Sequence, residues 1–565
     1  MSKTFFKRSL GVCRSLPIRL QVLRIKIVQR HYTNDVVKNE YISTPIFYVN
    51  AAPHIGHLHS AVLADCIARY KSMFGHTTFL STGTDEHGNK VQTAAKLAAV
   101  PTPDYCTQIS SQFKEMCDRF DVNYSAFIRT TEPHHAEAVH HFWNLLDAKG
   151  HIYLGKYSGW YCTSDEAYLS DIELEEKKDA SGKTIKVSAE SGHPVEWMEE
   201  ENYKFRLSSL QDDLKYWLKR ETAVQPAKYH KILSKWVEDG EILSDLSISR
   251  PTSRVPWSLP TPGNKDQSIY VWFEALVNYL TVLGYPKDTY KQFWPPSIQV
   301  IGKDILKFHG IFWPAFLIAA GLEPPRTLLC HAHWTVDNKK MSKSRKNVIS
   351  PFEAANTFTE DGLRYFLLRE AVPHNDANYS ENKILHTLNA ELADTLGNLI
   401  SRCTGKLVNP WGEVPYPMKY DGVLKSDIAI KTIKTIEHLG ENVRPYYEEF
   451  HLHHVVDTTM SVLHMANQMI EHHQPWILRK KLDDENTVKQ LRAVIALALE
   501  CTRISTLILY PIIPRLANNI LDFLAVPKEN RTWYDTASQY QSNSLLCDKT
   551  FDPNGMILFK RIKAV

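Results

Sequence analysis

The sequence predicts an α/β protein: a parallel sheet interrupted by an insertion, followed by an α-helical bundle. Two observations carry that expectation. A strand–helix–strand pattern occurs twice, about 250 residues apart, and hydrophobic periodicity turns almost wholly helical beyond Asn382. In the first pattern, Tyr41 to Val49 reads as a buried strand and Asn50 to Pro53 as a loop. Ile55, Leu58, Val62, Cys66, Tyr70 and Met73 then recur at helical spacing up to Gly75, and Thr77 to Ser81 reads as the next strand. The second pattern runs from a strand at Ser297–Ile301, through a helix at Ile305–Ala320, to a strand at Thr327–Cys330. Such units build a parallel sheet of the Rossmann type, here in two halves. Residues 35–129 supply the first half and 236–338 the second. Between them, 130–235 forms an insertion with a charge-rich stretch from Asp171 to Asn202. A junction at 339–381 leads to the bundle at 382–565, where Leu385, Leu388, Leu392, Leu396 and Leu399 fall on one helix face.

Composition is that of an ordinary globular chain, with 43% hydrophobic and 23% charged residues among 565. No apolar run reaches the ~18 residues that span a bilayer. Phe312–Leu322 is too short, and Glu500 and Arg503 interrupt Ala493–Ile513. The nine cysteines include no C-x-x-C pair, which suits a reducing compartment. The first 34 residues stand apart, with eight Lys or Arg, no Asp or Glu, and interleaved apolar residues. That pattern predicts a cleaved mitochondrial transit peptide, and with it a matrix location, over the alternative of a basic arm that binds nucleic acid. Without those eight cations the remainder holds 58 Lys+Arg against 63 Asp+Glu, a net of −5. Any nucleic acid must then be held by local patches rather than by overall charge.

Two short motifs carry the chemistry. Pro53-His54-Ile55-Gly56-His57 opens the first helix, and Lys340-Met341-Ser342-Lys343-Ser344 lies in a polar loop after the last strand. A helix N-terminus offers N–H groups and positive dipole to phosphate, and Gly56 permits close approach. His54 and His57 can donate hydrogen bonds as charge grows on an α-phosphate. Lys340 and Lys343 can meet the charge on departing pyrophosphate. Either motif alone is weak, since paired histidines often cap helices and Lys-Ser loops are often only solvated. Together and in order they point to ATP chemistry.

This pair resembles the signature of class I aminoacyl-tRNA synthetases. Within that class, Thr-Pro-Ile-Phe-Tyr-Val-Asn (44–50), Thr-Gly-Thr-Asp-Glu-His-Gly (82–88), Tyr-Val-Trp-Phe-Glu-Ala-Leu (270–276) and Ile-Gly-Lys-Asp-Ile (301–305) resemble the methionyl-tRNA synthetase family. The resemblance implies activation of L-methionine by ATP, with Mg²⁺ bridging the phosphates, and transfer to tRNA(Met). It implies a methionine pocket of Ile46, Tyr48, Asp85, Trp272, Ala275, Leu276, Tyr279, Ile305 and His309. Asp85 suits an ammonium and the aromatics suit a thioether. It further implies ATP contacts from Gly56, Gly302, Asp304, Met341, Ser342 and Ser344, and catalytic roles for His54, His57, Lys340 and Lys343. Asn398 and Arg402, four apart on one helix face, together with Trp476, resemble the family's anticodon-reading set.

The chain also departs from the family. Many relatives carry a zinc knuckle in the insertion. Here Cys162-Thr-Ser-Asp165 keeps one cysteine and Ser188 to Pro194 supplies only His193, so no structural zinc is expected. The short stretch up to Val565 suggests no further tRNA-binding or dimerising domain, and hence a monomer. Other readings are a synthetase for leucine, isoleucine or valine, a non-catalytic RNA-binding relative, or a small-molecule nucleotidyltransferase. The insertion is small for an editing domain. Intact phosphate-binding residues argue against a relic, and the helical third with its Asn-Arg-Trp set has no use in a nucleotidyltransferase.

Overall fold

The computed structural model describes residues 37–163, 167–179, 182–189, 191–240, 242–341, 347–540, 549–551 and 559–563. The basic segment 1–34 and Ser342, Lys343 and Ser344 lie outside them, as does the side chain of Lys340. The chain divides into Met1–Lys38 and Asn39–Val565, and the sheet, insertion and bundle all belong to the second unit.

Seven strands form the central sheet: β1 (Asn39–Ser43), β2 (Phe47–Tyr48), β3 (Thr77–Asp85), β4 (Ala126–Arg129), β5 (Val224–Gln225), β6 (Ile298–Gly302) and β7 (Leu328–His331). All pairings are parallel. The order is β5–β7–β6–β1–β3–β4, with β2 continuing β1 along the same edge of β3. Strand order reverses between β1 and β6, and a crevice opens there at the carboxyl ends of the strands.

The strand expected over Tyr41–Val49 is broken. Ser43 pairs with Ser81 but Phe47 with Thr84, so residues 44–46 oppose only two residues of β3. Pro45 has no N–H for the ladder, and the chain bulges at that point. Thr44 holds the bulge through its N–H to the Ser81 carbonyl (3.0 Å) and its hydroxyl to Thr82 Oγ1 (2.7 Å). The helix Ile55–Ser72 returns across the sheet with Leu58, Val62 and Cys66 fully buried.

The insertion is built on the antiparallel pair Ile152–Cys162 and Glu196–Phe205, with a hairpin of Leu174–Lys178 and Thr184–Ser188. The central sheet resumes before residue 235, because β5 inside that span pairs with β7 as the edge strand. The single helix expected over Ile305–Ala320 is three pieces: a 3₁₀ turn at Lys303–Ile305, a π turn at Phe308–Phe312 and an α-helix at Trp313–Ala320. Pro314 has no N–H, so an α ladder cannot run unbroken through it. The leucine face of the bundle likewise spans three pieces, Glu381–Thr387, a π stretch Leu388–Gly397 and Asn398–Thr404. Leu388, Leu392, Leu396 and Leu399 are at most 1% exposed, and Leu385 is half-buried.

The bundle packs the long helices Leu452–His473 and Glu485–Leu509 against each other. A buried node ties it to the sheet. Arg364, fully buried on the helix Glu360–Glu370, donates to Asp65 Oδ2 (2.6 Å) and to the carbonyls of Phe120, Pro511 and Ile512 (2.9, 3.2 and 3.0 Å). Asp65 belongs to the helix that begins at Ile55, so one guanidinium fixes that helix to the bundle. Among the described residues no helix is long and apolar enough to cross a membrane.

Candidate functional site

A cavity of about 320 Å³ opens at the crevice between β1 and β6. Its wall includes Ile46, Tyr48, His54, Gly56, His57, Asp85, Trp272, Ala275, Leu276, Tyr279, Gly302, Asp304, Ile305, His309 and Met341. The fold thus brings together at one cavity every predicted methionine- and ATP-site residue whose side chain is described. The bulge at 44–46 turns Pro45 and Ile46 toward it, and the end of β3 delivers Asp85 beside Tyr48.

The two histidines of the first motif cap their own helix. His54 Nδ1 accepts from the Gly56 N–H (3.1 Å), and His57 Nδ1 accepts from the His54 N–H (3.2 Å). Their rings stack with centroids 3.7 Å apart. Burial lowers His54 to about 4, despite an opposing pull from Asp304. Burial, and then His54, lower His57 well below its ordinary value. Both rings are therefore neutral at pH 7. A backbone N–H can only donate, so each Nδ1 is an acceptor and each proton resides on Nε2. Two Nε2–H donors are thereby fixed without a net charge.

The second motif begins on a hairpin rather than in a loop. Trp334–Val336 pairs with Lys339–Lys340 across a turn in which Asp337 and Asn338 have φ of 51° and 57°. Beyond the motif, the carbonyl of Ile349 accepts from the Ile55 N–H (3.1 Å), which ties the first motif to the segment that follows the second. A Cβ on Gly56 would lie 2.9 Å from His54 Cε1 and 3.6 Å from Met341 Cε, so this glycine makes room for the cap.

Also in the cavity wall, His309 Nδ1–H donates to the Ile305 carbonyl (3.0 Å), which leaves Nε2 to accept from the Tyr279 hydroxyl (2.8 Å). Burial holds His309 at about 4, so it is neutral. Trp272 stacks on Phe308 with centroids 3.8 Å apart, and Asp85 is 9% exposed. The cavity wall thus combines apolar and aromatic side chains with the carboxylates of Asp85 and Asp304.

Several residues here were not singled out from sequence. His331 lines the cavity and accepts from Ser60 Oγ (2.7 Å) while donating to the Ala332 carbonyl (2.8 Å). Lys90 also lines it, 5.8 Å from the Tyr48 ring centroid. His87 pairs with the buried Glu274 (2.6 Å). Burial lowers His87, but the Glu274 carboxylate outweighs it and leaves it raised. That pair locks the 82–88 stretch onto the helix Val271–Thr281, which carries Trp272 and Tyr279. His331 stands at the carboxyl end of a parallel strand, a position that could have flagged it. Ser60 lies one helical turn beyond His57. Nothing local marks Glu274.

In the bundle, Asn398 is exposed at the start of its helix, and Arg402 pairs with Glu471 (2.5 Å). Glu471 lies in the last turn of the helix Leu452–His473, whose cap Gln474 (φ 45°) turns the chain into Pro475 and Trp476. Trp476 is 37% exposed. In the insertion Cys162 is buried and His193 exposed, while Asp165 lies outside the described residues. Among the described residues no group of three His, Cys, Asp or Glu is arranged to hold a metal ion.

The sequence profile described as tRNA synthetases class I (M) matches residues 40–404. The chain belongs to the class I methionyl-tRNA synthetases. The mitochondrial methionine–tRNA ligase of Xenopus laevis is 44% identical over 526 residues, covering 92% of each chain. That of Homo sapiens is 43% identical, covering 87% of this chain and 85% of its own. Mycobacterium tuberculosis methionyl-tRNA synthetase in complex with methionyl-adenylate superposes with a TM-score of 0.82 at 35% identity, covering 88% of this chain and 96% of its own.

Proposed function

We propose that this chain is the methionine–tRNA ligase of the mitochondrial matrix, activating L-methionine with MgATP and esterifying the 3′ end of tRNA(Met). The observation that carries the reading is one cavity whose wall holds two neutral Nε2–H donors at a helix N-terminus, the rings of Tyr48, Trp272 and Tyr279, and the Asp85 carboxylate. In this reading the methionine ammonium pairs with Asp85. Its thioether packs against Trp272, Tyr279, Ile305 and His309, with Ile46, Tyr48, Ala275 and Leu276 completing the wall. Asp304 and Gly302 meet the adenosine.

The methionine carboxylate oxygen attacks the α-phosphorus of ATP. A new O–P bond forms and the bond to pyrophosphate breaks. His54 and His57 donate to the oxygens on which charge grows, and Lys340 and Lys343 take the charge of the leaving pyrophosphate. The histidines' neutrality has a use: they stabilise the transition state as dipoles and do not hold the triphosphate tightly beforehand. The terminal ribose hydroxyl of tRNA then attacks the adenylate carbonyl and AMP leaves. No protein nucleophile is needed, so the protein's part is positioning and electrostatics. Asn398, Arg402 and the exposed Trp476 present donors and a stacking face to unstacked anticodon bases.

The test is ATP–pyrophosphate exchange by protein beginning near Asn34, with each of the twenty amino acids supplied singly. Exchange with methionine alone is expected. Exchange driven instead by leucine, isoleucine or valine overturns the pocket assignment. No exchange with any amino acid, with or without tRNA, favours a non-catalytic RNA-binding role.

A further inference from the structure

The segment that carries Ile305 and His309 into the cavity is not a regular helix. Its 3₁₀ and π turns depart from the i→i−4 hydrogen-bond ladder of the helix Trp313–Ala320 that comes after it. Lys307 lies between the two cavity residues. Its ammonium, whose side chain is 14% exposed, pairs with Glu173 of the insertion. Glu173 is itself held: one of its oxygens accepts from the Ser170 N–H (2.9 Å) and hydroxyl (2.7 Å), closing a capping box around Asp171–Glu173. Beside the pair a gap of about 220 Å³ remains between insertion and turn, lined by Trp160, Tyr168, Lys307 and Phe312 among others. A hydrogen-bonded carboxylate of the insertion thus grips an irregular turn of the other module.

We infer that Glu173 and Lys307 are positioning residues for methionine. The ion pair sets the 303–312 turn from outside the cavity, and thereby the places of Ile305 and His309 against the substrate side chain. This rests on reading the cavity as the methionine subsite. It gives the insertion a part in amino-acid recognition as well as in architecture.

The experiment is methionine- and ATP-dependent pyrophosphate exchange by the full chain, with melting temperature measured in parallel. For Glu173→Ala the KM for methionine is expected to rise about tenfold, while kcat and the KM for ATP stay within about twofold and the melting temperature is unchanged. The charge exchange Glu173→Lys with Lys307→Glu is expected to return the methionine KM to within about threefold of the unaltered protein. A methionine KM unmoved in Glu173→Ala overturns the inference. So does a joint rise of both KM values with a lowered melting temperature, which marks a merely structural contact, or a charge exchange as impaired as the single variant. Absence of methionine-dependent exchange in the unaltered protein instead overturns the function on which the inference rests.

Discussion

Gly56→Ala adds one methyl group beneath the His54 imidazole. The position is the second residue of the helix Ile55–Ser72, where alanine is favoured over glycine by about 1 kcal/mol. The new Cβ would lie 2.9 Å from His54 Cε1 and 3.0 Å from Nδ1. Comfortable contact begins near 3.5 Å, so the ring must retreat by roughly 0.5 Å or turn away. Either movement lengthens the 3.1 Å bond from the Gly56 N–H, a cap worth about 1 kcal/mol. Gain and loss nearly cancel in stability. Catalysis has no such compensation in the proposed mechanism, where the Nε2–H would be displaced from the α-phosphate and misaligning one preorganised donor costs about 100-fold in rate. Single-turnover adenylate formation at saturating methionine and ATP is therefore expected to slow about 100-fold, with a melting temperature within about 3 °C. A rate within about threefold of the unaltered protein would refute the assignment of His54 as a transition-state donor.

Trp476→Ala should cut aminoacylation of tRNA(Met) by about tenfold or more while leaving ATP–pyrophosphate exchange intact, because the indole is exposed and does not line the cavity; equal loss in both assays would mark it as a packing residue. His309 and His331, both buried, are held at about 4, below the ~6.5 of an unfolded chain. The unfolded chain binds their protons first, so stability is full above about pH 6.5 and falls as pH drops toward 4. Near pH 5 the loss is roughly 2 kcal/mol for each. A urea midpoint unchanged between pH 7.5 and 5.0 would contradict their neutrality.

The readability of the sequence differed from element to element. The first helix was legible because its signal is local: apolar residues at 3.6-residue spacing, a histidine cap and a terminating glycine. The strand over Tyr41–Val49 was legible as apolar but not as broken, since Pro45 tolerates an edge strand and only the register against β3 reveals the extra residue. The helix over Ile305–Ala320 hid its π turn for the same reason. Periodicity reports which residues are buried, and the pattern Leu306, Ile311, Phe312 suits either turn. Strand β5, two residues long inside the insertion, has no periodicity to read.

By itself, the sequence determined the two short motifs, the divided parallel sheet and the helical bundle, each a matter of residue type and short-range spacing, while the expected pocket residues came only with the family resemblance. Only the tertiary structure decided the state of those residues. The tautomers of His54, His57 and His309 depend on which backbone group meets Nδ1, and their neutrality on burial. The anchoring pairs His87–Glu274, Asp65–Arg364 and Glu173–Lys307 join residues more than 100 positions apart. Burial and long-range pairing are properties of the folded surface, where distance along the chain has no bearing on distance in space, and no local pattern encodes them.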